Sequence, residues 1–424
     1  MSSDRPLRTA EIIAVGSELL GSTRLDTNSL FLSGRLASLG IELRTKAVVG
    51  DDRGGLAALL RAAIERSDVI ILTGGLGPTD DDLTRDAVSD VLQLPLDEHP
   101  EIVTQIEQRF ARRGLQMPEV NRKQAQVLRG ATVLDNPHGS APGQFLESRG
   151  RVIVLLPGPP RELQPMMDNF VAGPLAARAT KERLYRAQFF VAGRSESHVE
   201  ELTQPIYSRW RDGDPRIETT ILAGPGQIEL HLTMRSDDSV RAEAIVTKAR
   251  DELIAAVGPD VFSKDGRHME QVVGDLLNER RLTIAVAESC SGGLLLSRLT
   301  DVPGSSAWVR GGAVAYSNDA KTLFADVPQD LIAAHGAVSE PVAVALADGI
   351  RTRLAADIGV GVTGIAGPSG GTSAKPVGTV AIAVVMRAVP ARVRTFSFPG
   401  GRVQVKFQAT QSALDMVRRL VLSN

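Results

Sequence analysis

Three small side chains with nucleophilic or hydroxyl chemistry follow one another in "AVAESCSGGLLLSRLT": Ser289, Cys290 and Ser291. An apolar run precedes them and a glycine pair, Gly292 and Gly293, leads into a helical pattern, so Ser289 is expected where a strand gives way to a helix. A hydroxyl at that place faces the crevice beyond the strand ends. Backbone N–H groups of Cys290 to Gly293 could there stabilise an anion. A serine nucleophile needs a base, and the two histidines of this stretch, His268 and His335, do not lie in a comparable strand-end turn. A lysine is the alternative. "AYSNDAKTLF" puts Tyr316 at a strand end and Lys321 in the first turn of the next helix, where helix polarity and burial both oppose its charge. Tyr316 could relay the proton or hold the lysine. The plainer reading of Ser-Cys-Ser is helix capping, and of the only cysteine, Cys290, a packed and inert thiol.

Two further segments belong to this chemistry. "GVTGIAGPSGGTSAKPVGTV" ends a strand at Thr363 and crowds Gly364, Gly367, Gly370 and Gly371 into a loop whose backbone can approach a phosphate or carboxylate. Arg402, at the start of the last helical segment, could clamp a phosphate.

A second set of residues lies near the N-terminus. "ILTGGLGPTDDDLTRDAV" is strand, glycine turn and helix, so Gly74, Gly75 and Gly77 offer N–H groups to a phosphate. Asp80, Asp81, Asp82 and Asp86 bring more negative charge than a phosphate tolerates unless a divalent cation bridges them; the plainer reading is an acidic first turn complementing the helix dipole. "VGSELLGSTRLDTN" adds Glu18, Asp26 and Asn28.

The elements that must position these groups read as α/β throughout. In a chain of 424 residues with 43% hydrophobic residues, two or three domains are expected. Four strand-then-helix units up to about Pro174 call for a mostly parallel sheet covered on both faces. Residues 175–266 alternate like half-buried strands and add one long helical pattern, predicting a small α+β module, with "AGPGQ" at Ala223–Gln227 as a hairpin turn. Residues 267–424 return to α/β. The expectation is two three-layer α/β domains, 1–174 and 267–424, joined by a small α+β module, 175–266.

Composition narrows the function classes. Forty-eight basic and 50 acidic residues give a formal net charge of -2, and aromatics make up 4%, so neither a basic face nor stacking platforms for nucleic acid are expected. The lone cysteine cannot form an internal disulfide, the N-terminal residues lack a signal-peptide apolar stretch, and no run approaches a membrane span. A reduced, cytoplasmic protein follows as the expectation.

"AESCSGG", "PGSSAWVRGGAVAYSNDAK", "GAVSEPVA" and "GVTGIAGPSGGTSAKPVGTV" together resemble the nicotinamide mononucleotide deamidase domains of the CinA family, over Arg267–Asn424. The resemblance implies hydrolysis of nicotinamide mononucleotide to nicotinate mononucleotide and ammonia without a cofactor, with the family's serine at Ser289, tyrosine at Tyr316 and lysine at Lys321. Cys290, Ser291, Gly292, Gly293, Thr363, Gly364, Gly367 and Arg402 fall on its substrate side. The acidic residue usual before the late arginine is here Gly401, and Lys406 stands where arginine is expected. "TGGLGPTDDDLTRDA", within Thr9–Phe170, resembles the molybdopterin-binding domains, but Asp81 replaces their arginine. In the CinA family this domain implies metal-dependent cleavage of ADP-ribose to AMP and ribose 5-phosphate. Asp82 is then the first candidate ligand, followed by Asp81, Asp86 and Glu18, with Asn28 and the glycines on the substrate. The family resemblance also implies a homodimer. Readings of another class are a pterin- or nucleotide-binding module in place of the first enzyme, or an interaction partner in competence or DNA repair.

Overall fold

The computed structural model describes residues 6–424. Contact density divides the chain into two compact units, Met1–Tyr185 with Arg235–Ala242, and Arg186–Met234 with Glu243–Asn424.

The first unit opens with β1 (Thr9–Val15), α1 (Asn28–Ser38), β2 (Glu42–Val49), α2 (Arg53–Arg66), β3 (Val69–Thr73) and α3 (Thr84–Leu92). It continues through β4 (Leu96–Glu98), α4 (Pro100–Ala111), β5 (Gln126–Leu128), β6 (Thr132–Leu134), β7 (Gly143–Ser148), β8 (Arg151–Leu156) and α5 (Pro160–Phe170). The main sheet has the order β2-β1-β3-β8-β7-β6. β1, β2, β3 and β8 pair in parallel, with Ile12 opposite Ile71 and Ile71 opposite Val154. Alternation along β1 sends Ile13 and Val15 to a core with Leu56 and Leu60 of α2, and Ala10 and Ile12 to a core with Leu32 and Leu36 of α1. That two-sided burial is why the strand reads as a continuous apolar run. The expected sheet gains an antiparallel edge, β7 and β6, that sequence pattern did not announce. β7, "GQFLES", is short and holds a buried Gln144, whose amide satisfies Leu128 N–H and the Gln126 carbonyl instead of breaking a core.

β9 (Arg183–Val191), α6 (Glu196–Arg211), β10 (Ile217–Gly224), β11 (Gln227–Ser236), α7 (Ser239–Val257) and β12 (Val261–Ser263) form a βαββαβ module, its sheet in the order β10-β11-β9-β12. This is the split βαβ arrangement of ferredoxin-like domains. β10 and β11 meet at a hairpin with Gly224 opposite Gln227, as "AGPGQ" suggested. Phe190 and Phe262 of this module join the core of the last region.

That region contains α8 (Met269–Arg280), β13 (Ile284–Glu288), α9 (Leu294–Thr300), β14 (Val309–Val314), α10 (Asn318–Ala325), α11 (Gln329–His335) and α12 (Glu340–Arg353). β15 (Ile358–Gly364), β16 (Thr379–Met386), β17 (Val389–Ser397) and α13 (Arg402–Leu422) complete it. Its sheet runs β14-β13-β15-β16-β17, parallel through β15 and antiparallel beyond. α8, α9 and α13 cover one face, α10 to α12 the other. α12 lies unusually close on β15: a Cβ at Gly359 would stand 2.0 Å from the Ala347 carbonyl oxygen, and one at Gly361 2.2 Å from that of Ala343. The mixed α/β class is as expected. Among the described residues no helix is long and apolar enough to cross a membrane.

Candidate active site

β13 is buried along its whole length and delivers Glu288 and then Ser289 to the end of the sheet. Ser289 N–H donates to the Val362 carbonyl of β15, 2.8 Å, which fixes the serine beside the neighbouring strand. The helix does not begin there. Residues 289–293 form a turn, with Gly292 and Gly293 at φ of 62° and 92°, and α9 starts at Leu294. Left-handed backbone of this kind suits glycine.

The anion that occupies this turn is internal. The Glu288 carboxylate, fully buried, accepts from the N–H groups of Gly293 (3.1 Å), Leu295 (3.0 Å) and Leu296 (2.8 Å). Gly292 N–H goes to the Ser289 carbonyl, 3.1 Å. Four N–H groups were expected to face a substrate anion; Gly292 and Gly293 are taken, while those of Cys290 and Ser291 have no oxygen acceptor among the described residues. Sequence reasoning missed Glu288 because a carboxylate at a strand end reads as solvated. Its only signal is an acidic residue ending an otherwise apolar five-residue strand.

The lysine comes from the adjacent crossover. β14 ends at Val314, Ala315 N–H donates to the Glu288 carbonyl, and Ser317 caps α10 by accepting from Ala320 N–H, 3.1 Å. Lys321, one turn into α10, is 2% exposed, and its Nζ lies 3.2 Å from Ser289 Oγ. The Nζ also donates to the carbonyls of Ala315 (3.2 Å) and Tyr316 (3.5 Å). Among the described residues no carboxylate pairs with it. Burial pushes the Lys321 ammonium below its ordinary value of 10.5. A lysine so placed can lose its proton and then accept one from the serine hydroxyl.

Cys290, next in sequence, has the opposite environment. It is 5% exposed within the core of α8, α9 and α13, and burial pushes its thiol up to about 11. A protonated thiol in a packed core is a poor nucleophile. Ser291 is fully buried, with an Oγ that has no hydrogen-bond partner among the described residues.

Tyr316 holds Lys321 through its backbone carbonyl, whereas its phenol points elsewhere: the ring is 60% exposed and its oxygen accepts from Arg402 Nη2, 3.0 Å. Arg402 Nη1 donates to the Gly367 carbonyl, 2.9 Å. The start of α13, the glycine loop after β15 and the tyrosine are thereby drawn together. Thr363 is buried, and its hydroxyl donates to the Ala337 carbonyl, 2.7 Å, tying two loops. Gly364 ends β15, and Gly367, at φ of 83°, turns the loop.

In the first unit a cleft of about 630 Å³ opens at the ends of β1, β3 and β8, lined by Gly16, Asn28, Gly75, Asp82, Gly158 and Glu162 among others. Its glycine turn is held from within. Gly74 N–H donates to the Leu156 carbonyl, 3.0 Å, and Gly77 N–H to Asp82 Oδ1, 2.7 Å, so of the three expected phosphate donors only Gly75 N–H has no partner among the described residues. Asp82 Oδ2 accepts from Thr79 N–H and Thr79 Oγ1, 2.9 and 2.5 Å. Asp86 lies 3.7 Å from Lys123, whose ammonium also donates to the carbonyls of Thr79 and Asp82. Beneath the turn, Arg85 is fully buried and donates to the carbonyls of Leu76 and Gly77; burial pulls its guanidinium down to about 10. Neither Arg85 nor Lys123 stood out in the sequence, since an arginine in an acidic helix start reads as solvated.

The carboxylates expected to hold a metal therefore do other work or stand apart. Asp82 closes its own loop, Asp86 pairs with Lys123, Asp81 is exposed, and Glu18 is exposed with its carboxylate folded over Gly16. Among the described residues no three His, Cys, Asp or Glu side chains gather as a metal-binding group. This donor set does not fit a resident divalent ion. Asn28 fits a polar ligand better: its Nδ2 donates to the Gly158 carbonyl, 2.7 Å, and its buried Oδ1 has no partner among the described residues.

Residues 266–421 match the family described as the CinA C-terminal domain, and residues 11–177 the one described as a "Probable molybdopterin binding domain". A CinA-like protein of Koribacter versatilis is 46% identical over 417 residues, covering 97% of this chain and 100% of the relative. One from Solibacter usitatus is 41% identical over 413 residues, covering 97% and 98%. A solved structure, the competence/damage inducible protein CihA from Agrobacterium tumefaciens, is 34% identical, covers 36% of this chain and 96% of its own, and aligns with a TM-score of 0.35. With both domains matched in order and full-length relatives at this identity, the chain belongs to the CinA family.

Proposed function

We propose that the last domain hydrolyses the carboxamide of nicotinamide mononucleotide. The observation that carries this reading is the 3.2 Å contact between Lys321 Nζ and Ser289 Oγ, with the lysine buried and without a carboxylate partner among the described residues. Neutral Lys321 takes the Ser289 proton as Oγ bonds to the carboxamide carbon. The tetrahedral oxyanion is held by Cys290 and Ser291 N–H groups. Lys321 returns the proton to the nitrogen, the C–N bond breaks, and ammonia leaves. Water then attacks the acyl-serine with the same lysine as base, giving nicotinate mononucleotide and free serine. Arg402, Tyr316 and the loop through Gly367 would receive the nucleotide phosphate. Release of ammonia and nicotinate mononucleotide in the presence of EDTA, from wild type, Ser289→Ala and Cys290→Ala, tests the reading. No release from folded wild type overturns it.

For the first domain we propose hydrolysis of ADP-ribose to AMP and ribose 5-phosphate, supported by the cleft size and the glycine turn. A second reading, a nucleotide- or pterin-binding module without turnover, is favoured by one observation: Asp82, the foremost carboxylate, is committed to Gly77 and Thr79. Incubation with ADP-ribose, with and without added Mg²⁺ or Mn²⁺, separates the two. AMP formation abolished by EDTA supports the enzyme and its metal dependence; saturable binding without AMP supports the module.

A further inference from the structure

We propose that the second compact unit carries another small-molecule site, for a nucleoside phosphate, in the cavity between β17, α13 and the start of α6. The cavity measures about 790 Å³, within the range of small-molecule sites. It shares no residue with the Ser289 centre. Asp415, on its wall, lies about 20 Å along α13 from Arg402, at 1.5 Å per residue.

Four arginines, Arg194, Arg392, Arg394 and Arg419, line it against two aspartates. The aspartates are fully used. Asp260 accepts from Arg194 (2.5 Å) and Arg419 (2.8 Å), while Asp415 accepts from Arg419 (2.6 Å) and Arg418 (2.7 Å). Arg392 and Arg394 have no carboxylate partner among the described residues. Arg392 donates to the Ser423 hydroxyl, 2.5 Å, and the Arg394 guanidinium lies 4.8 Å from the centroid of Phe396. Residues 392, 394 and 396 share one face of β17 because side chains alternate along a strand. β17 is the edge strand of its sheet. Two guanidiniums that line one cavity, neither paired with a carboxylate among the described residues, suit a phosphate group.

The opposite wall points to the same chemistry. The sixteen-residue α6 begins there, with Ser195 as its cap and the Ser195 hydroxyl 3.0 Å from His198 Nδ1, so the positive end of a helix faces the cavity. Met416 supplies apolar surface beside the charged groups, while the Phe396 ring is packed between Arg394 and Phe398 and helps to hold that guanidinium in place. Phosphate on Arg392 and Arg394, with the nucleoside against Met416, uses both features.

Amide hydrogen exchange of the full chain, with AMP as probe and adenosine as control, locates binding without relying on turnover. The expected result is AMP-dependent protection of residues 389–397 and 412–419, absent with adenosine. Arg392→Gln with Arg394→Gln is expected to weaken it at least tenfold, and Arg392→Lys with Arg394→Lys to restore part of it. Arg394→Gln alone, at an exposed position, carries the test if the double variant does not fold. Protection confined to the first domain, equal protection in the glutamine variant, or a site that takes an oligonucleotide with steep salt dependence but not AMP overturns the proposal. Failure of the deamidase reading leaves this result unaffected.

Discussion

The Tyr316 carbonyl and the Tyr316 hydroxyl serve different residues: the carbonyl accepts from Lys321 and the hydroxyl from Arg402. Backbone, not phenol, therefore holds the lysine. Tyr316→Phe is expected to raise KM for nicotinamide mononucleotide while changing kcat less than about tenfold, the low side of what a proton-transfer group contributes. Lys321→Ala should lower kcat by about 10²-fold or more. Steady-state kinetics on both variants check this; a larger kcat loss in Tyr316→Phe than in Lys321→Ala reverses the assignment.

The adjacent Ser289 and Cys290 are predicted to separate cleanly. Ser289→Ala should abolish amide hydrolysis. Cys290→Ala should keep it within a few-fold and cost roughly 1 kcal/mol of stability, as core truncations of this size do. With its thiol pushed to about 11, Cys290 should resist iodoacetamide at neutral pH in the folded protein. Mass spectrometry of the alkylated protein and denaturant titration read the two effects.

The pH dependence follows from Lys321. A base must be neutral, so kcat/KM should rise with pH through the lowered Lys321 pKa and then level. Stability moves the same way. Between that lowered pKa and the ordinary value of 10.5 the unfolded chain binds more protons than the folded one, so unfolding becomes harder as pH rises. At lower pH the full penalty of burying the ammonium is present. Lys321→Met should remove this pH-dependent component, which denaturation at several pH values will show.

Glu288 is predicted to be as necessary as the serine it precedes. Glu288→Gln replaces a carboxylate that accepts three N–H groups with an amide that must turn its NH₂ toward at least one of them. A loss of about 2–4 kcal/mol is expected from charge-assisted, buried hydrogen bonds. Activity should fall with it because residues 289–293 lose their anchor. Thermal unfolding and turnover of the variant test this, and a stable but inactive protein would point to chemistry by Glu288 itself.

The alternation of buried strands and amphipathic helices was enough to read both large α/β regions, and strand-end placement was enough to put Ser289 near Lys321. Both depend on periodicity, which survives in one dimension. What periodicity does not carry is the destination of a polar side chain. Glu288, Arg85 and Asp82 each read as solvent-facing or ligand-facing, and each satisfies backbone groups of its own turn. Nor does it carry the direction of Tyr316, since one residue offers a carbonyl and a phenol to different neighbours. The short β7 escaped because a buried glutamine interrupts its apolar pattern, and β6 because it is only three residues long.

The close seat of α12 on β15 bears on how this site can change over generations. Every single-base change that alters a glycine codon into that of another amino acid adds a side chain, and at Gly359 and Gly361 even a methyl group would meet a carbonyl oxygen at about 2 Å. Drift at both positions is therefore shut, although neither belongs to the proposed chemistry. In a saturation-mutagenesis selection they should be as intolerant as Ser289, and a map of intolerant positions would draw a catalytic site wider than the one that touches substrate.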